Sequence, residues 1–191
     1  MGTFACGISR KKTPGVIVVK PLLILDRDGV INERPARHQR YILDKRELLM
    51  RETVLREIAS IQNRGIKVVV ASNQQCLGKG LITEAKLNEI HELMNNQLIG
   101  FGGKELDFYI CGHLAITNCS CRKPKPGLLL NAIAQNGISC KESKCLFIGD
   151  SLTDQEAAFS AGIPFKRVTD EYSTVSILRS VRLSEVGLII E

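Results

Sequence analysis

Short, nearly unbroken apolar runs alternate along the chain with longer segments whose apolar positions fall three or four apart. The runs are Leu22–Leu25, Ile66–Ala71, Asp107–Ile110, Cys145–Ile148 and Ile163–Val168. Runs of this length without polar alternation predict strands buried on both faces, the habit of a parallel sheet. Between the first two, Leu48, Leu49, Val54, Leu55, Ile58 and Ile61 predict an amphipathic helix over Glu47–Asn63, stopped at Gly65. Thr83 and Glu84 open a second helix that runs to about Leu98. Pro126 opens a third, to about Asn136, with Gly137 as its stop. Asp154–Ala161, closed by Gly162, is a fourth. Ile177, Leu178, Val181, Leu183 and Leu188–Ile190 predict a last helix and a closing apolar segment.

Strands alternating with helices predict an α/β fold: a Rossmann-like parallel sheet with helices on both faces. Residues 1–20 read as an N-terminal extension carrying the basic Arg10-Lys11-Lys12 and a possible pairing run at Val16–Val19. Residues 21–191 read as one domain. The connections have room for a loop and one helix each, so no cap domain is expected.

The strand ends carry the chemistry. Leu22–Leu25 runs into Asp26-Arg27-Asp28-Gly29, two carboxylates one residue apart where a parallel sheet binds its ligands. Alone, this is a nucleophile beside an acid/base, or an ordinary strand followed by an Asp-Gly turn. Ser72 and Asn73 end the second strand. Arg122 and Lys123 precede the fourth, and Asp150 and Asp154 follow it. Brought to one edge, these groups supply a carboxylate nucleophile, donors, a lysine and oxygen ligands for a hard cation, the equipment for phosphoryl transfer. Arg34, Arg37, His38, Arg40, Lys45 and Arg46 lie just past the first strand. They form either a positive rim for an anion or a solvated loop.

Composition narrows the classes. The chain has 191 residues, 44% of them hydrophobic and 24% charged, which suits a globular domain. The net charge of +6 fits an anionic small molecule. No basic run interleaved with aromatics favours nucleic acid. No segment has the length of a membrane span or a signal core, so a cytoplasmic protein is expected. A monomer is expected too.

Seven cysteines, an odd number, argue against a disulfide framework. Three of them form Cys111-x-His113 and Cys119-x-Cys121, a Cys₃His set suited to tetrahedral Zn²⁺ or else a chance cluster of thiols. With four protein ligands the zinc would be structural, stapling the loop that aims Arg122 and Lys123.

The motifs Asp26-Arg27-Asp28-Gly29, Ser72-Asn73-Gln74, Lys123 and Gly149-Asp150-Ser151-Leu152-Thr153-Asp154 resemble those of the haloacid dehalogenase phosphatases. Asp26–Asn32, Cys111-Gly112-His113 and Cys119–Gly127 resemble the heptose bisphosphate and histidinol phosphatase subgroup within it. The likeness spans roughly residues 22–168. It implies that Asp26 attacks phosphorus, that Asp28 protonates the leaving alkoxide and then activates water, and that Ser72 and Lys123 hold the phosphoryl oxygens. It implies Mg²⁺ on Asp26, the Asp28 carbonyl and Asp150, with Asp154 in support. Asn73, Arg122 and Lys125 would bind substrate, most suitably a heptose-type sugar bisphosphate losing its 7-phosphate. Histidinol phosphate or another small phosphorylated metabolite is the alternative, and a nucleic-acid terminal phosphate the second. Two departures from the subgroup are a short stretch between His113 and Cys119, and Cys76 where glycine is common.

Overall fold

The computed structural model describes residues 21–35, 39–137, 144–184 and 187–190, with side chains only as far as Arg182 beyond Lys144. The extension, its Val16–Val19 run, Arg37 and His38 lie outside the described residues. Five parallel strands form one sheet in the order β3-β2-β1-β4-β5. They are β1 (Leu22–Leu25), β2 (Lys67–Asn73), β3 (Asp107–Cys111), β4 (Cys145–Gly149) and β5 (Phe165–Arg167). β1 lies centrally, with Leu22 opposite both Lys67 of β2 and Cys145 of β4.

The period of two sorts each strand between two cores. Leu23 and Leu25, with Val68, Val70, Leu146 and Ile148, face helices α1 (Glu52–Asn63), α2 (Glu84–Gly100) and α5 (Glu171–Ser180). Leu22 and Ile24, with Val69, Ala71 and Phe147, face α3 (Gly127–Gln135) and α4 (Leu152–Ala161). Neighbours in the run thus serve opposite layers, which is why no polar residue interrupts it.

Three local expectations are corrected. α1 starts at Glu52, not Glu47. Lys45–Glu47 is a separate 3-10 turn, Met50 bridges to Asn32, and the Arg51 N–H donates to the Ile31 carbonyl. Leu49 is 64% exposed, so its place in the apolar period was coincidental. α4 starts two residues early, because the Ser151 hydroxyl caps it and makes Asp154 part of the first turn. After α5 the chain forms an antiparallel hairpin of β6 (Val181–Ser184) and β7 (Gly187–Ile190). Among the described residues, no helix is long and apolar enough to cross a membrane.

Candidate active site

The parallel register carries Asp26, Ser72 and Asp150 to the same edge, Asp26 and Asp150 just past the ends of β1 and β4 and Ser72 in the last two residues of β2. Asp26, Asp150 and Asp154 each bring a carboxylate oxygen within 4.8 Å of the others. This crowding needs a small backbone. Gly29 has φ +89°, and a Cβ there would lie 1.8 Å from Asp150 Oδ2. Like charges so close require cations, and the chain supplies two. The Lys123 ammonium, 4% exposed, lies 2.8 Å from Asp26 Oδ1 and 2.6 Å from Asp154 Oδ1, and donates to the Ala71 carbonyl at 2.8 Å. The Arg34 Nε lies 2.6 Å from Asp150 Oδ2.

Burial pushes the Asp26 carboxyl up to about 7, against the pull of Lys123. For Lys123, burial favours the neutral amine, but Asp26 and Asp154 prevail and hold its proton above the ordinary lysine range. The three carboxylates form an all-oxygen donor set open to a further ion. That chemistry fits Mg²⁺ rather than a soft metal.

Asp28 is placed differently. Arg27, fully buried, donates to both of its carboxylate oxygens at 2.9–3.2 Å; Asn32 donates to one and Gln74 to the other, each at 2.9 Å. Burial alone would raise Asp28, but the Arg27 charge and the two amides overcome it and hold the carboxyl below its usual range. Gln74 also donates to the Ser72 hydroxyl at 2.9 Å. Cys76, fully buried, points its thiol at the Gln74 carbonyl oxygen at 3.6 Å.

Asn73 clamps the lysine segment to β2. Its amide donates to the Lys123 carbonyl at 2.9 Å and accepts from the Lys123 N–H at 3.1 Å. Arg122 donates to Gln75 at 3.2 Å. Lys125 turns away from the carboxylates and donates to the backbone and side-chain oxygens of Asn118, at 2.6 Å each. The basic segment resolves into both readings. Arg34 and Arg40 line a cleft of about 280 Å³ with Asp28, Asn73 and Gln74, whereas Arg46 pairs with Asp44 on the surface.

The Cys₃His cluster starts at Cys111, the last residue of β3, and leads into this lysine segment. Cys111, Cys119 and Cys121 Sγ stand 3.3–3.7 Å apart, and His113 Nδ1 lies 3.6 Å from Cys111 and 3.3 Å from Cys121. A tetrahedron with Zn–S bonds of ~2.3 Å has edges of ~3.8 Å, so the donor set fits zinc. Burial and both neighbouring sulfurs push the Cys121 thiol up to about 12.

The structure brings Asp26, Asp150, Asp154 and Lys123 together, and gathers Cys111, His113, Cys119 and Cys121, as the sequence reading placed them. That reading gave no role to Arg27, Asn32 or Gln74, the cage around Asp28. The available signal was Arg27 itself, a charge at the end of a doubly buried strand that must find a partner.

The family model for polynucleotide kinase 3 phosphatase matches residues 23–173. A D-glycero-beta-D-manno-heptose-1,7-bisphosphate 7-phosphatase of Neisseria meningitidis is 33% identical over 141 residues, 74% of this chain and 73% of its own. A D-glycero-alpha-D-manno-heptose-1,7-bisphosphate 7-phosphatase of Mycobacterium tuberculosis is 33% identical over 136 residues, 71% and 70% of the two chains. A solved D,D-heptose 1,7-bisphosphate phosphatase of B. bronchiseptica, complexed with magnesium and phosphate, superposes with a TM-score of 0.73. It is 30% identical and covers 90% of this chain and 92% of its own. With the carboxylate and lysine motifs gathered at one sheet edge and these relatives matched along most of the fold, the chain belongs to the haloacid dehalogenase superfamily of phosphatases, in the group that contains the heptose bisphosphate phosphatases.

Proposed function

We propose that the protein is a Mg²⁺-dependent phosphomonoester hydrolase that removes the 7-phosphate of D-glycero-D-manno-heptose 1,7-bisphosphate or a similar sugar bisphosphate. The observation that carries this is the meeting of Asp26, Asp150, Asp154 and Lys123. The names of the matched relatives supply the substrate class, and they include both anomers.

An Asp26 oxygen attacks phosphorus and the bond to the leaving oxygen breaks, giving a phosphoaspartate. Asp28 hands its proton to the departing alkoxide, then takes one from the water that hydrolyses the acyl phosphate. Its cage favours the anion, so proton loading depends on the incoming phosphate charge raising its proton affinity. Ser72 and Lys123 hold the phosphoryl oxygens. Mg²⁺, held by Asp26, Asp150 and the Asp28 carbonyl, would screen two approaching anions and steady the transferring group. Arg122, with Asn73 and the Arg34–Arg40 cleft, binds the phosphate that stays. Lys125 joins them only by leaving Asn118. Cys111, His113, Cys119 and Cys121 bind a structural zinc that fixes the lysine segment.

In this reading residues 21–191 are one capless catalytic domain, monomeric and cytoplasmic, and residues 1–20 are an extension. Histidinol phosphate is the alternative small substrate. A terminal nucleic-acid phosphate is a second reading, favoured by the family model that spans residues 23–173.

Phosphate release from the heptose bisphosphate, histidinol phosphate and a 3′-phosphorylated oligonucleotide, with and without Mg²⁺, ranks the three. The heptose ester is expected to lead, and Asp26→Asn to abolish turnover. No release from any ester would reject the enzyme reading; a lead by the oligonucleotide would replace the substrate.

A further inference from the structure

Two cations balance the three crowded carboxylates, and they are held in unlike ways. The Lys123 side chain is 3% exposed and is ringed by Asp26, Asp154 and the Ala71 carbonyl, so it cannot withdraw without leaving buried acids unscreened. Arg34 reaches the group from the surface. Its Nε donates to Asp150 Oδ2 at 2.6 Å, and its side chain is 60% exposed against 7% for Asp150. The two meet over Gly29, where a Cβ would lie 2.9 Å from Arg34 Nε and 1.8 Å from Asp150 Oδ2; the missing side chain makes the contact possible. Among the described residues, no protein group is bonded to the terminal nitrogens of Arg34. The same side chain lines the cleft of about 280 Å³ with Arg40, Asn73 and Gln74. One guanidinium thus touches a candidate metal ligand and borders the space beside it.

We propose that Arg34 is a shared cation: its Nε holds Asp150 in competition with Mg²⁺, and its terminal nitrogens bind the phosphate that stays on the substrate. One side chain then sets the affinities for metal and for substrate in opposite directions. A guanidinium bonded to a metal ligand repels a second cation from the same carboxylate. A phosphate on the terminal nitrogens meets a planar fork of N–H donors that matches its oxygens, and it offsets the charge that Asp150 feels. Substrate arrival therefore eases the repulsion at the metal ligands. By reciprocity, a loaded metal site favours the phosphorylated ligand by the same factor. Lys123 cannot serve in this way, because its acceptors enclose it. The inference rests on the reading of the Arg34–Arg40 cleft as the seat of the retained phosphate.

The test is isothermal titration of the full chain. The first ligand is Mg²⁺ alone. The second, in saturating Mg²⁺, is D-glycero-D-manno-heptose 1-phosphate, the monophosphate that the proposed reaction leaves. Arg34→Gln is expected to bind Mg²⁺ about tenfold more tightly and the heptose 1-phosphate about tenfold more weakly. Opposite signs separate this role from a structural one, since a residue that only orients Asp150, or a variant that misfolds, weakens both. Arg40→Gln removes a charge from the same cleft without touching Asp150. It is expected to weaken the heptose 1-phosphate and leave Mg²⁺ binding within about twofold. Mg²⁺ binding unchanged or weakened in Arg34→Gln would overturn the proposal. So would unchanged heptose 1-phosphate binding, or Arg40→Gln tightening Mg²⁺ as much as Arg34→Gln does. If the wild type takes up Mg²⁺ but not heptose 1-phosphate, the substrate reading fails and takes the phosphate half of the proposal with it. The Mg²⁺ titrations of the two variants still decide the metal half.

Discussion

At the scale of single residues, the site is a problem of packing anions, and each solution is measurable. Lys123 sits between Asp26 and Asp154 with almost no solvent. Lys123→Met leaves two buried carboxylates unscreened, and is expected to cost roughly 3–5 kcal/mol in urea unfolding and at least about a hundredfold in turnover. Mg²⁺ should return part of the stability and little of the rate. Gly29→Ala places a methyl group against Asp150 in a backbone conformation that alanine resists. Isothermal titration should show weakened Mg²⁺ binding.

His91 provides a pH signature. Its folded proton affinity lies below its unfolded value of about 6.5, falling to about 3. Its contribution to stability is therefore complete above 6.5 and drains as pH falls toward 3, at up to about 1.4 kcal/mol per pH unit. Unfolding free energies of the wild type minus those of His91→Phe should show that slope between pH 6.5 and 5.

Residue identity was legible in the sequence wherever a polar group ended an apolar run, as at Asp26, Ser72 and Asp150. The cage of Asp28 was not legible, because Gln74 reaches it from another strand and Arg27 reads as a surface charge until its strand is known to be buried on both sides.

At the scale of elements, two local devices hold the chemistry in place. The first is the start of α4, where Ser151 and Asp154 bond reciprocally. The cap fixes the acid that Lys123 requires, so one motif terminates a loop, starts a helix and orients an ammonium. Ser151→Ala is expected to cost about 1 kcal/mol in thermal unfolding and to lower kcat by releasing Asp154. Sequence periodicity set the start of α4 two residues late, because a cap is a hydrogen-bond event and leaves no apolar period. The same blindness put five extra residues on α1, where Glu47 ends a 3-10 turn and Met50 and Arg51 pair with Asn32 and Ile31.

The second device is the Cys₃His loop, which was legible from residue types alone. Elemental analysis is expected to find one zinc per chain. Cys119→Ser should lower zinc content, reduce stability by a few kcal/mol and slow turnover, since the loop delivers Lys123.

At the scale of the whole molecule, strand order places the halves of the site. Asp26 comes from the central strand, Ser72 from one neighbour, Asp150 from the other. The order was beyond the sequence, which shows alternation but not adjacency; the parallel rule gave only the common edge. Because three carboxylates share only two cations, Lys123 and Arg34, a divalent ion bound among them would link ligand binding to folding. Mg²⁺ at a hundred times its dissociation constant should raise stability by about 2.7 kcal/mol in differential scanning calorimetry, and Asp150→Asn should abolish most of that gain.

The central strand has one more property. Leu22–Leu25 is bonded to a neighbour on each side and covered by a helical layer above and below. Its amides therefore exchange with deuterium only when the molecule opens globally. Asp26, the proposed nucleophile, directly follows a strand expected to be among the last of the described residues to exchange. The Arg34 side chain and the cysteine loop lie outside this doubly covered strand, so a local opening there would leave the strand bonded. A cut or a lost ligand at the rim would then leave the backbone that carries Asp26 in place.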